Sequence, residues 1–143
     1  MKKRLVALLF LLVSLGFVAC AQQNKGAGEA SNTTQKEAVV KNVDVNTFAE
    51  LKSKLKDAII LDVRTPEEFA QGHLTNAVNI NIYGNFEEEV KKLDKDKPVL
   101  VYCRSGHRSG IAAKKMQKLG FKKVYNLSGG IIAWASAGKE VEK

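Results

Sequence analysis

Hydrophobic and polar positions divide the chain into three unlike stretches. Residues 5–18 form an apolar run interrupted only by Ser14 and Gly16, while residues 21–37 are mostly Gln, Asn, Lys, Gly, Ala, Ser, Thr and Glu. The second stretch has almost nothing to bury and is expected to be a flexible tether, set at 20–38. From Val39 onward short apolar runs alternate with amphipathic segments. That pattern predicts one globular domain over 39–143.

Within the domain, Val43-Asp44-Val45 predicts a short strand, and Asn46 or Thr47 a cap for a helix carrying Phe48, Leu51 and Leu55. The run 58–63 is nearly continuous in apolar residues, as expected for a strand covered on both faces. Thr65-Pro66-Glu67-Glu68 opens a short helix, with a hydroxyl cap, proline at the first position and acids in the first turn. Residues 77–82 predict the next strand, and Asn85-Phe86-Glu87-Glu88 starts a helix ending near Leu93. A strand over 98–102, a helix from Ser109 to Gly120, a strand over 123–127 and a helix from Ile131 to Ala137 complete the series. Five strands alternating with short helices imply an α/β fold with a mainly parallel five-stranded sheet. Right-handed crossovers then put helices on both faces.

Candidate chemistry gathers at Cys103-Arg104-Ser105-Gly106-His107-Arg108-Ser109, between the fourth strand and its helix. The first N–H groups of a helix lack partners and its dipole is positive there. Arg104 and Arg108 add charge, and His107 can add more. A short loop of this kind, with Gly106 supplying the freedom to curl, aims several N–H groups at one spot and forms an anion nest. Cys103 is therefore expected to be a reactive thiolate. A cysteine at a strand end is often plain core. A core residue, however, has no need of two arginines and a glycine within five positions.

Charge and cysteine count change the picture modestly. The net charge of +8 includes Lys2, Lys3 and Arg4; without them 20 basic residues face 15 acidic ones, a mild excess scattered along helices. No nucleic-acid partner is expected. The basic start followed by a short apolar run reads as a secretory signal over 1–19, too short to span a membrane comfortably. It ends in Phe17-Val18-Ala19-Cys20, which resembles a bacterial lipobox with phenylalanine where leucine is usual. Lipid on Cys20 would anchor the domain to a bacterial membrane, in the periplasm or at the cell surface. Cys103 is then the sole exported thiol, with no internal disulfide partner.

Three segments together resemble the rhodanese-like sulfurtransferases. The loop 103–109 is similar to that family's active-site loop, 61–69 and 72–80 to its upstream signature, and Gly129-Gly130-Ile131-Ile132-Ala133-Trp134 to its C-terminal one. The resemblance implies a three-layer rhodanese-like fold and a Cys103 persulfide. That persulfide would form from a small anionic donor, thiosulfate or polysulfide, and pass its sulfur to a thiol, cyanide or protein acceptor. It further implies that the 104–108 amides cradle the persulfide, that Arg104 and Arg108 draw in the donor, and that Ser105 and His107 sit at the mouth. Neither a metal nor an organic cofactor is implied, and a monomer is expected. Asp62, Arg64, Glu68 and His73 are read as braces rather than a triad, and Trp134 as core.

Other readings have distinct signatures. Related cysteine phosphatases and arsenate reductases have five residues between cysteine and arginine, whereas Cys103 and Arg108 enclose four. A non-catalytic docking or sulfide-sensing module would share the fold without using the thiol. A redox role lacks a resolving cysteine.

Overall fold

The computed structural model describes residues 37–143. The expected signal, Cys20 and nearly all of the tether lie outside the described residues. Five strands, β1 (Val39–Val43), β2 (Ile59–Asp62), β3 (Ala77–Asn79), β4 (Val99–Tyr102) and β5 (Lys123–Leu127), form one sheet. All pairings are parallel and the order is β1-β5-β4-β2-β3. Between and after them run α1 (Val45–Lys54), α2 (Pro66–Ala70), α3 (Phe86–Val90), α4 (His107–Lys118) and α5 (Gly130–Ser136).

Alternation along β4 sorts the core into two layers. Val99, Val101 and Cys103 face Phe86 and Val90 of α3 and Ala112, Ala113 and Met116 of α4. Leu100 and Tyr102 face the other way, onto Phe48 of α1 and Trp134 of α5. Because both faces are covered, every residue of β4 is buried. Phe48 and Trp134 meet edge to face at 5.9 Å, and the indole N–H donates to the Glu140 carbonyl. Trp134 is therefore core, as its sequence context suggested.

The first strand differs from expectation. It spans Val39–Val43 and pairs with β5 from Val39–Lys123 to Val43–Leu127. Asp44, expected in mid-strand, instead caps α1: its carboxylate accepts from the Thr47 N–H at 2.9 Å and hydroxyl at 3.2 Å. Neither Asn46 nor Thr47 is the cap. A valine on each side of Asp44 imitates a strand's period of two, but the acid satisfies an otherwise orphaned helix N–H and that decides the local structure. The larger of the further shifts are at β3, which stops at Asn79, at α3, which ends at Val90 instead of near Leu93, and at α4, which begins at His107, two residues before the expected Ser109.

From β2 the chain moves outward to β3, and from β4 it moves the opposite way to β5. The carboxyl ends of β2 and β4 thus border the point where the winding reverses, the crevice in which open parallel sheets hold ligands. The loops leaving these two strands carry Arg64 to Glu68 and Cys103 to Ser109.

Candidate active site

Cys103 follows β4 directly and has no exposed surface. The chain beyond it turns back through Gly106, whose φ of +93° is left-handed and open to glycine at little cost. This curl brings the Gly106 N–H to 3.1 Å from Cys103 Sγ, and the first turn of α4 brings the Ser109 hydroxyl to 3.3 Å. Burial pushes the thiol up. Hydrogen bonding from the Ser109 hydroxyl and from the Ser109, Ser105 and Gly106 N–H groups outweighs it and holds the thiol below its ordinary value. Hydrogen-bond donors therefore lower this pKa. Ser109 lay inside the sequence motif without an assigned role; its only signal was a hydroxyl in the first helical turn.

Arg108 enters a two-pronged ion pair. Its Nη1 and Nη2 each donate to Glu68 at 2.7 Å. The pair raises the arginine's already high pKa and, with Arg108's hydrogen bonds the largest cause, holds the Glu68 carboxyl at about 2. Glu68 also completes a capping box on α2: it accepts from the Thr65 N–H at 3.2 Å while the Thr65 hydroxyl accepts from the Glu68 N–H at 3.3 Å. The arginine also lies 6.0 Å from the ring centroid of Tyr83, a largely exposed residue that the sequence did not single out. Arg104, Ser105 and His107 face solvent on the outer rim of the loop.

The inner side of the loop rests on α5. Ile131 and Ile132 donate their N–H groups to the carbonyls of Cys103 and Arg104, at 2.9 and 3.2 Å. Gly130 permits this approach: a Cβ there would overlap the Cys103 carbonyl oxygen and lie 2.5 Å from the Arg104 carbonyl carbon. The Gly129-Gly130 signature is thus the seat of the cysteine loop.

Residues 47–137 match the family model described as "Rhodanese-like domain". The chain belongs to this family. A "Sulfurtransferase" of Allochromatium vinosum is 35% identical over 100 residues, covering 70% of this chain and 92% of that protein. "Thiosulfate sulfurtransferase GlpE" of Coxiella burnetii is 40% identical over 81 residues, covering 57% of this chain and 75% of its own length. A solved rhodanese-related protein from Thermoplasma volcanium superposes with a TM-score of 0.62 at 33% identity, covering 71% of this chain and 97% of that one.

In this rhodanese-like domain the remaining charged residues act as braces. Asp62 is fully buried, and Arg64 grips its carboxylate through Nε at 2.9 Å and Nη2 at 2.6 Å. The same Nη2 donates to the Gly72 carbonyl at 2.6 Å, so the pair fastens the loop after α2. Arg64 lies 5.7 Å from the Tyr102 ring centroid, and the Tyr102 hydroxyl accepts from the Leu74 N–H at 3.0 Å. Burial, followed by the Asp62 charge, pushes the Tyr102 phenol up, so it stays protonated. His73 stacks on Phe69 at 3.9 Å, its Nδ1 lies 3.1 Å from the Phe69 carbonyl, and its backbone exchanges two bonds with Glu142. These contacts belong to α2 and the C-terminal segment, away from the thiol. Among the described residues no group of three His, Cys, Asp or Glu side chains is placed to hold a metal ion.

Proposed function

We propose that this rhodanese-like domain is a sulfurtransferase working through a Cys103 persulfide. The Cys103 thiolate attacks the outer sulfur of thiosulfate, a sulfur–sulfur bond forms to Sγ, and sulfite leaves with the electron pair of the broken bond. With polysulfide, the leaving group is the polysulfide shortened by one sulfur. An acceptor thiolate or cyanide then attacks the outer sulfur, and Cys103 departs as the thiolate it began as. No external oxidant or reductant is needed. The observation carrying this reading is the pair of donors, Gly106 N–H and Ser109 hydroxyl, converging on one sulfur. They favour the thiolate both as nucleophile and as leaving group. The names of the Allochromatium and Coxiella relatives support the same class of chemistry.

Arg104 and His107, exposed at the rim, are assigned to attracting the anionic donor, with Ser105 beside them at the mouth. Arg108 contributes charge with its fork occupied by Glu68. That occupation also counts against phosphate ester hydrolysis, which needs a free guanidinium fork on the phosphoryl oxygens.

The deciding experiment incubates the protein with thiosulfate or polysulfide and records its intact mass beside Cys103→Ser. A reductant-sensitive gain of one sulfur, absent from the variant, is expected. An unmodified thiol with every donor, in a protein that nevertheless binds a partner, would replace the enzyme with a docking module. Hydrolysis of an aryl phosphate would instead point to a phosphatase.

The basic start, apolar run and Phe17–Cys20 sequence further support export and lipid attachment at Cys20. Mass spectrometry of the mature N-terminus tests this: the expected species begins at a lipidated Cys20, and an unlipidated start elsewhere overturns it.

A further inference from the structure

Asn126 is a polar side chain within β5 that none of the chemistry above uses. It is 4% exposed and neighbours the buried Leu127. Its Nδ2 donates to the Gly106 carbonyl at 3.1 Å and to Asn42 Oδ1, on the adjacent strand β1, at 2.8 Å. Its own Oδ1 accepts no hydrogen bond from the described residues. The surroundings therefore use the amide's donors and not its acceptor.

Gly106 is the residue most in need of such a hold. It has no side chain to pack, adopts φ +93°, and directs its N–H at Cys103 Sγ. Its carbonyl accepts from the Gly110 N–H at 3.0 Å, from within α4, and from Asn126, across the sheet. The first bond ties Gly106 only to the helix it begins. The Asn126 bond ties it to the rigid sheet that also carries Cys103.

We infer that Asn126 is a positioning residue for the reactive thiol: by holding the Gly106 carbonyl against β5, it keeps the Gly106 N–H aimed at Cys103 Sγ. Asn42 serves the same line of contacts one step further out, orienting the Asn126 amide. The inference rests on Cys103 being the reacting atom. The other groups acting on Sγ are the Ser109 hydroxyl, the Ser105 and Ser109 N–H groups and the charge of Arg108, itself paired with Glu68. A change at Asn126 removes none of these.

The test titrates Cys103 in the full chain carrying Cys20→Ser, so that one thiol remains. Ultraviolet thiolate absorbance and the alkylation rate are followed across pH. Asn126→Leu, similar in size but without donors, is expected to move both profiles to higher pH. Below the parent midpoint the thiolate fraction should fall about 3- to 10-fold. Asn42→Ala, which removes one Asn126 bond but leaves the Gly106 bond, is expected to move them by less than half as much. If Asn126→Leu does not fold, Asn126→Ser, too short to reach the Gly106 carbonyl, takes its place with the same expectations. A folded Asn126 variant with the parent profile would overturn the inference, and so would an equal displacement in Asn42→Ala, since that would mark a general sheet brace. Failure of sulfur transfer in the parent would strike the proposed enzyme and leave this titration readable.

Discussion

Arg108 and Glu68, 40 residues apart, meet through two N–H to oxygen bonds of 2.7 Å each. The bond pair joins the first turn of α2 to the first turn of α4, spanning the crevice between the loops that leave β2 and β4. One side chain thereby caps a helix, closes a loop and occupies the fork of Arg108. The paired guanidinium is a fixed element of the wall, while Arg104 and His107 carry the rim's solvent-facing polarity.

This pair predicts a pH-dependent contribution to stability. The Glu68 carboxyl ionises at about 2 in the folded protein against an ordinary 4.5. A depressed carboxyl stabilises the fold fully above 4.5 and loses that contribution as pH falls through about 2. Glu68→Gln preserves one acceptor for the Thr65 N–H and Arg108 Nη1, and removes the charge together with the oxygen to which Nη2 donates. Because both side chains keep some solvent contact, the cost at pH 7 is set at about 1–2 kcal/mol, below the full linkage value. Denaturant unfolding of parent and variant should show that gap at pH 7, a smaller one near pH 3 and almost none at pH 2. A gap that does not change with pH would assign the stabilisation to packing.

The buried Asp62–Arg64 pair predicts a larger and purely structural effect. Arg64→Met leaves a carboxylate with no exposed surface and no cation, a situation that costs about 3–5 kcal/mol. The Cys103 titration should nevertheless stay where it is in the folded fraction, because no hydrogen bond links this pair to the sulfur. Denaturant unfolding together with thiol absorbance checks both halves. A stable variant with a displaced thiol profile would make Arg64 part of the reaction machinery and not a brace.

Much of this arrangement was legible in the residues, for identifiable reasons. The run 123–127 became β5 without adjustment, and Thr65-Pro66-Glu67-Glu68 carried a complete helix start that the structure reproduces. Local chemistry settles such segments. The first strand was not legible, because the half-exposed edge residues 39–43 lack a strong apolar alternation while Val43-Asp44-Val45 imitates one. The loop as an anion nest was visible, but not which groups would reach the sulfur. Arg108 finds Glu68, and Asn126 finds Gly106, only through the order in which the strands assemble, and single-sequence periodicity carries no information on that order.

The seat of the loop on α5 gives a steric prediction. Gly130 has φ +57°, and an added methyl group would meet the carbonyls of Cys103 and Arg104. Gly130→Ala must move either α5 or the loop, which strains the backbone and weakens the bonds from the Ile131 and Ile132 N–H groups. A loss of about 2–4 kcal/mol is expected from overpacking plus left-handed strain. The shift of the loop should also raise the thiol's titration midpoint. Thermal unfolding and thiol absorbance measure the two effects, and an Ala variant with parent stability would show that α5 gives way without cost.

Ser109 offers the most direct test of how the thiolate is held. Its hydroxyl is buried, lies 3.3 Å from Cys103 Sγ and, after the opposing effect of burial, is the leading influence on the thiol. Ser109→Ala removes one donor and leaves the Gly106 N–H, the helix and both arginines in place. Removing a donor that favours the charged form raises the thiol pKa, so the alkylation profile must move to higher pH. Below the parent midpoint the rate should fall about 3- to 10-fold, the equivalent of roughly 0.7–1.4 kcal/mol, the range of one ordinary net hydrogen bond. Sulfur loading from thiosulfate should fall in step at low pH and recover as pH rises, because only the thiolate population has changed. Loss of loading at every pH with an unmoved profile would mean that the hydroxyl acts on the donor and not on the thiol. An unmoved profile with unchanged loading would assign the thiolate to the backbone N–H groups alone.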